Sequence, residues 1–180
     1  MNYFNQESER LRYRKLTEKD IPSWIEFFIH NDRLKYLGMD LQKSKETLAE
    51  DWIRAQLTRY EKQGFGHLAV ELKGSDEFIG MGGILPRELH GIKEYEIAYS
   101  LKPKFWGRGY ATEIARKMKD FGSKKIDTNR FISIIDVANV ESANVAKKNG
   151  MQILFNTEYL GMKVNVFGIQ KTGYNTVYSK

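Results

Sequence analysis

The sequence predicts a mixed α/β fold, on three observations. Two segments with the residue spacing of amphipathic helices open the chain, alternating strands follow, and a helix then links two extended apolar segments. The 180 residues, 41% of them hydrophobic, suffice for one compact domain over residues 1–180 with a core that needs no covalent staple. No internal repeat, linker or composition break divides it. The absence of cysteine excludes disulfides, thiolate nucleophiles and cysteine-ligated metals.

Thr17 precedes Glu18-Lys19-Asp20 as the cap of a first helix carrying Ile21, Trp24, Ile25, Phe28 and Ile29 on one stripe. A second helix is expected from about Lys45 to Lys62, where Leu48, Trp52, Ile53, Leu57 and Tyr60 keep helical spacing and Gly64 is placed to end it. The period then becomes extended. His67 to Lys73 and Glu77 to Leu85 flank the turn-forming Gly74-Ser75-Asp76 and read as a hairpin. Glu94 to Leu101 alternates strictly, with Tyr95, Ile97, Tyr99 and Leu101 on one face and Glu94 and Glu96 on the other.

After a glycine loop comes a helix with Ala111, Ile114, Ala115, Met118 and Phe121 on one stripe, stopped by Gly122. Phe131 to Val137 is apolar enough for an interior strand. Asn139 caps a short helix that Gly150 closes, and Met151 to Thr157 and Asn165 to Gln170 read as returning strands. Strands 94–101 and 131–137, joined by a crossover helix, are expected to be parallel neighbours.

The formal net charge of +6 favours anionic partners, but the basic residues are scattered in the manner of solvated helix faces. The N-terminal segment lacks a basic stretch followed by an apolar run, and no stretch approaches the length of a membrane span. A soluble, cytoplasmic protein with no membrane partner is therefore expected. His30, His67 and His90 show no ligand spacing, so no metal is expected and each histidine reads as surface or satisfied core.

The segment Trp106-Gly107-Arg108-Gly109-Tyr110-Ala111 joins a strand end to a helix start. Glycines there let the backbone approach an anion while the free amides of the first helical turn point at it. The third glycine of the dinucleotide fingerprint is missing, and no P-loop is present. Taken alone, the loop is either a phosphate cradle or simply a turn.

With these residues in view the sequence resembles the GNAT superfamily of N-acetyltransferases, whose coenzyme A loop reads Arg/Gln-x-x-Gly-x-Gly/Ala. Trp106 in first position is similar to the ribosomal-protein N-terminal (RimJ/RimL-like) acetyltransferase branch, and Phe105 through Glu113 carries the string usual in that branch. The resemblance extends through Arg10-Leu11-Arg12-Tyr13-Arg14, Asp20, Ile79-Gly80-Met81-Gly82-Gly83, Glu96-Ile97-Ala98-Tyr99, Asn139-Val140-Glu141-Ser142 and Lys148-Asn149-Gly150-Met151. It implies a mixed, mostly antiparallel sheet of about six or seven strands with a central splayed parallel pair, flanked by about four helices.

The resemblance also implies acetyl-CoA as co-substrate. Its pyrophosphate would rest on the backbone amides of Arg108, Gly109, Tyr110, Ala111 and Thr112, next to Trp106 and Gly107, with pantetheine along Leu101 and near Asn139. Lys102, Lys104 and Arg108 are candidates for added positive charge. Amine acetylation needs a neutral amine, stabilisation of the oxyanion and a proton for the thiolate. Glu96 aligns with the family's strand glutamate as base, acting through water, with Glu94 on the same face as fallback. The family's usual tyrosine acid falls at Ala146, so Ser142 is the candidate donor to the thiolate. Asn139 is a candidate site residue with a competing role as helix cap. Met151 and Ala138 depart from the common phenylalanine and proline.

Phe27, Phe28 and Tyr36 are candidate walls of an acceptor pocket, and the net positive charge argues against a polycationic acceptor unless acidic residues such as Glu46, Glu50 and Asp51 gather at its mouth. The acceptor is a protein N-terminus or a small amine, and the protein is a monomer or a homodimer paired through its last strands. A non-catalytic acyl-CoA sensor is the first alternative. A nucleic-acid-binding domain, suggested by the charge and the tyrosine-rich end Tyr174 to Tyr178, is the second.

Overall fold

The computed structural model describes residues 2–170, so the tyrosine-rich end lies outside the described residues. Eight strands are formed among the described residues: β1 (Asn5–Glu7), β2 (Leu11–Arg14), β3 (Gly66–Leu72), β4 (Phe78–Leu89), β5 (Ile92–Leu101), β6 (Arg130–Asp136), β7 (Gln152–Tyr159) and β8 (Met162–Gln170). They make one sheet in the order β1-β2-β3-β4-β5-β6-β8-β7, antiparallel throughout except for the parallel neighbours β5 and β6. The two extra strands, β1 and β2, are too short to show a period of their own. The last two strands pair with each other within the chain.

Among the described residues four α-helices cover the sheet: α1 (Ile21–Trp24), α2 (Lys45–Gln63), α3 (Tyr110–Lys125) and α4 (Val140–Lys148). Ser44 caps α2 by accepting the Thr47 amide at 3.1 Å, and Gly64 closes it with φ of 71°. The expected first helix is broken into a 3-10 turn at Glu18–Asp20, the single turn of α1, and a second 3-10 turn at Ile25–Phe28. Trp24 stacks on Phe27 with ring centroids 4.4 Å apart, a pairing of residues three apart that a 3-10 turn brings face to face. Ile29 consequently falls beyond the turn and is exposed.

Gly122 does not stop α3, which continues to Lys125. A Cβ at Gly122 would lie 2.7 Å from the Phe131 ring, so the glycine lets the helix settle onto β6. α3 and α4 bury one face of the sheet through Ile97, Ile114, Met118 and Phe131, while α1 and α2 bury the other through Trp24, Ile53, Ala69 and Met81. β4 and β5 pair over ten residues and turn through His90 and Gly91, both with positive φ. β6 pairs with β8 along its whole length. Between β5 and β6, by contrast, pairing is registered only at Glu96 and Ile132. Each strand is satisfied on its outer edge and free to part from its neighbour on the inner one.

Gly83 lies where β4 meets β3, and a Cβ there would stand 2.1 Å from the Gly66 carbonyl oxygen and 2.8 Å from the Tyr3 hydroxyl. Backbone cannot yield as a side-chain tip can, so Gly83→Ala is expected to cost about 1–3 kcal/mol in urea unfolding. An unchanged midpoint would mean that the two strands are not held this closely.

Candidate active site

The loop after β5 is fixed before it reaches its helix. Pro103–Phe105 makes a 3-10 turn, and the Trp106 indole N–H donates to the Leu101 carbonyl at 2.8 Å, tying the loop to the strand end. Gly107 and Gly109 hold left-handed φ values of 73° and 80°. Gly109 then starts α3, whose first helical bond runs from the Glu113 amide to the Gly109 carbonyl. The amides of Arg108, Gly109, Tyr110, Ala111 and Thr112 donate to no acceptor among the described residues. Five free donors at a helix start are the geometry of an anion cradle.

The cradle is braced from behind. Arg10 donates from its Nε to Glu113 at 2.7 Å and from a guanidinium nitrogen to the Arg108 carbonyl at 3.0 Å, and stacks over Tyr110 at 4.5 Å. Ser8 adds a hydrogen bond to Glu113 at 2.7 Å. Burial opposes ionisation of Glu113, but the bonds from Ser8 and Arg10 hold its carboxyl below the usual range.

In front of the cradle lies a cleft of about 350 Å³, bounded by Tyr99, Leu101, the loop and the face of α4. Its side-chain cations are Arg33, Arg108 and Lys148. Arg33 stacks on Trp106 at 3.8 Å and pairs with Glu141 at 3.1 Å. The expectation that Lys102 and Lys104 supply charge here is corrected. Lys102 is buried, bonding Ser23 at 2.8 Å and Glu26 at 3.5 Å, while Lys104 pairs with Glu26 at 3.2 Å and Glu77 at 3.0 Å. The loop lysines thus anchor the α1 side, and a distant arginine and an α4 lysine serve the cleft. Arg33 sits outside any periodic element, so nothing in the sequence marks it.

A second cavity, of about 460 Å³, lies beyond the seam between β5 and β6. The two cavities share Leu37, Tyr99, Ser100, Asn139 and Ser142. Asn139 caps α4 by accepting the Ser142 amide at 3.2 Å, and the Tyr99 hydroxyl crosses the seam to the Ser142 carbonyl at 3.1 Å. Burial, with the Glu96 charge nearby, pushes the Tyr99 phenol well above its ordinary value, so its proton stays in that bond. The Ser142 side chain also hydrogen-bonds the Tyr99 phenol, which works against that upward shift. Ala146 is buried in the core, leaving no phenol at the position where the family's acid was expected.

Glu96 lines the second cavity and is buried there. Its Oε2 accepts from Arg87 Nε at 2.7 Å, while its Oε1 has no partner among the described residues. Glu94 is buried too, but it pairs with Arg130 and lines neither cavity. Of the expected acceptor walls, Tyr36 lines the second cavity, Phe27 lines the cleft, and Phe28 is core; Asp51 also lines the second cavity. Glu46 and Glu50 line neither, and Glu50 pairs with Arg54.

His67 also lines the second cavity, and it is buried without being satisfied. Its Nδ1 accepts from the Trp52 indole at 3.4 Å, so the neutral ring carries its proton on Nε2, which has no partner. A buried donor left so costs about 1–3 kcal/mol. Burial, helped by the charges of Arg59 and Arg87, pushes the His67 pKa down to about 3. Above pH 6.5 the ring is neutral in both folded and unfolded chains, and below it only the unfolded chain takes up the proton. Stability should therefore fall by about 1.4 kcal/mol per pH unit as pH drops from 6.5, on top of any shared carboxylate effect. Urea unfolding of wild type and His67→Gln between pH 7 and pH 5 checks this. The variant should lose that slope, and equal slopes would mean that His67 protonates freely in the folded protein.

Among the described residues no group of three or more His, Asp or Glu side chains is placed to hold a metal, and no helix is long and apolar enough to cross a membrane. The acetyltransferase (GNAT) domain family model matches residues 10–152. YkkB of Bacillus subtilis is 26% identical over 144 residues, covering 80% of this chain and 83% of its own. An acetyltransferase from Agrobacterium tumefaciens superposes with a TM-score of 0.75 at 25% identity, over 92% of this chain and 93% of the other. RimL, a ribosomal L7/L12 alpha-N-protein acetyltransferase solved in complex with Coenzyme A, superposes with a TM-score of 0.69 at 19% identity, over 91% and 95%. The family match spans the cradle, the seam and both walls of the cleft, and the chain belongs to the GNAT family as an acetyl-CoA-dependent acetyltransferase.

Proposed function

We propose that residues 1–180 act as one cytoplasmic catalytic domain, in the ribosomal-protein N-terminal acetyltransferase branch, that acetylates a primary amine. The amine is a peptide N-terminus or a small molecule, and it attacks the thioester directly in a ternary complex. The observation that carries this reading is the meeting of two cavities at Tyr99, Ser100, Asn139 and Ser142, with an anion cradle on one side and Glu96 on the other. The complete string from Phe105 to Glu113 supports the branch.

The free amides of residues 108–112 hold the pyrophosphate of acetyl-CoA, and Arg33, Arg108 and Lys148 supply the surrounding positive charge. The chain's contribution to rate begins with positioning, since both reactants are fixed at one opening in the sheet. Arg87 fixes one oxygen of Glu96 and leaves the other to take the amine proton, directly or through water. The Ser142 side chain lies on both cavities, beside the Tyr99 phenol, and its hydroxyl hydrogen-bonds the departing thiolate.

Three substitutions separate these roles. Gly109→Trp fills the cradle and should abolish acetyl-CoA binding in calorimetry. Glu96→Gln should leave binding within twofold and lower kcat by about a hundredfold, the scale of a general base. Ser142→Ala should lower kcat by about fivefold, the worth of one hydrogen bond, with little change in KM. Intact binding in the first variant would remove the cradle assignment, and unchanged turnover in the second would remove Glu96.

A further inference from the structure

The end of the second cavity under α2 is built for a negative charge that the acetylation chemistry does not use. Arg59, one turn before the end of α2, is half-buried and makes no salt bridge among the described residues, although the Glu96 charge lies near it; its only hydrogen bond is a long one, 3.4 Å, to Gln56. Arg87 spends only its Nε on Glu96, leaving its two terminal nitrogens without a hydrogen-bond partner among the described residues, with the guanidinium over the Tyr159 ring at 6.0 Å. His67, more than nine-tenths buried on the same wall, holds an Nε2–H donor with no acceptor. Three unspent donors line one cavity, two of them cationic.

The charges around them are unequal. Glu96 offsets one of the two guanidinium charges, leaving a surplus of one. Asp51, at the rim, is matched by Lys43 at 2.8 Å. Asp136 also lines the cavity, but it belongs to the turn that carries Asn139, where its Oδ1 accepts the Ala138 amide at 2.8 Å. The cavity is therefore cationic under α2 and acidic beside the seam where acetyl transfer is placed.

We propose that the acceptor is a small zwitterion, whose amine is presented at the seam and whose carboxylate is bound by Arg59 and Arg87 under α2, with His67 as a neutral donor in the wall. The proposal rests on the amine-acetylation reading and narrows it. A cavity of about 460 Å³ suits a small molecule. A single surplus charge beside Glu96 matches a carboxylate better than a doubly charged phosphate, and the two arginines repel a polycation.

The test uses the full chain with acetyl-CoA and ω-amino acids from glycine to 6-aminohexanoate, each beside its ω-amino amide. Aminoalkyl phosphates and diamines of the same lengths complete the set. Thiol release should show kcat/KM at least about tenfold higher for the best amino acid than for its amide, the worth of a charge-assisted bond. Arg59→Gln should bring the two to parity through KM, keeping kcat within twofold, and Arg59→Lys should restore part of the preference. Equal rates for acid and amide at every length, or a preference for diamines, would overturn the proposal, and a preference for the phosphates would overturn the carboxylate assignment. Calorimetric titration of the CoA-loaded protein with the amino acids reads the same site without turnover. Binding weakened about tenfold by Arg59→Gln, with no amine acetylated, would keep the anion site and sink the transferase reading. Amine acetylation without any such binding would do the reverse.

Discussion

The site depends on one constraint in the sheet: β5 and β6 are neighbours that pair at a single position. An open seam in a sheet is costly unless the freed groups find other partners. Here β4 satisfies the far edge of β5 and β8 the far edge of β6, so the seam opens without loosening either strand. Three side chains span it among the described residues, the first being Arg130 of β6, which pairs with Glu94 of β5. Ser133 donates to the Ile97 carbonyl at 2.7 Å close to the last paired residue, and Tyr99 reaches the Ser142 carbonyl further along. The gap is therefore held at a fixed width, and a cavity opens on each side of it.

The same opening sorts the charges. On the cradle side Glu113 is neutralised from behind by Arg10, so the first turn of α3 presents its free amides without a competing negative field. Arg33 reaches the cleft from the α1 side and Lys148 from α4, bringing cations that are distant in sequence to one cleft. On the other side Glu96 is buried, yet keeps one oxygen unspent because Arg87 binds only the second. Charge that looks scattered along the sequence is organised only once the seam exists.

Much of this was legible in the sequence where periodicity is strong. The alternation from Glu94 to Leu101, the α2 stripe with its closing Gly64, and the glycine loop before α3 each fixed their element, and the parallel pairing followed from the helical crossover. What failed to show has physical reasons. β1 and β2 are too short to express a period, and the segment after Thr17 has helical spacing but takes tighter turns once Trp24 stacks on Phe27. Gly122 reads as a stop, yet its role is tertiary, since it admits the Phe131 ring. The lysines beside the loop were misread because their partners, Glu26 and Glu77, are distant in sequence. His67 carries no local signal of its unsatisfied nitrogen, which arises from α2 closing over β3.

The most direct test of the account is where acetyl-CoA perturbs the backbone. In a nitrogen-15 labelled sample titrated with acetyl-CoA, the amides of residues 107–112 should shift most, followed by those of 99–101 and 139–142 at the seam. Shifts absent from the loop, or confined to residues under α2, would contradict the claim that the seam and its cradle hold the acetyl donor.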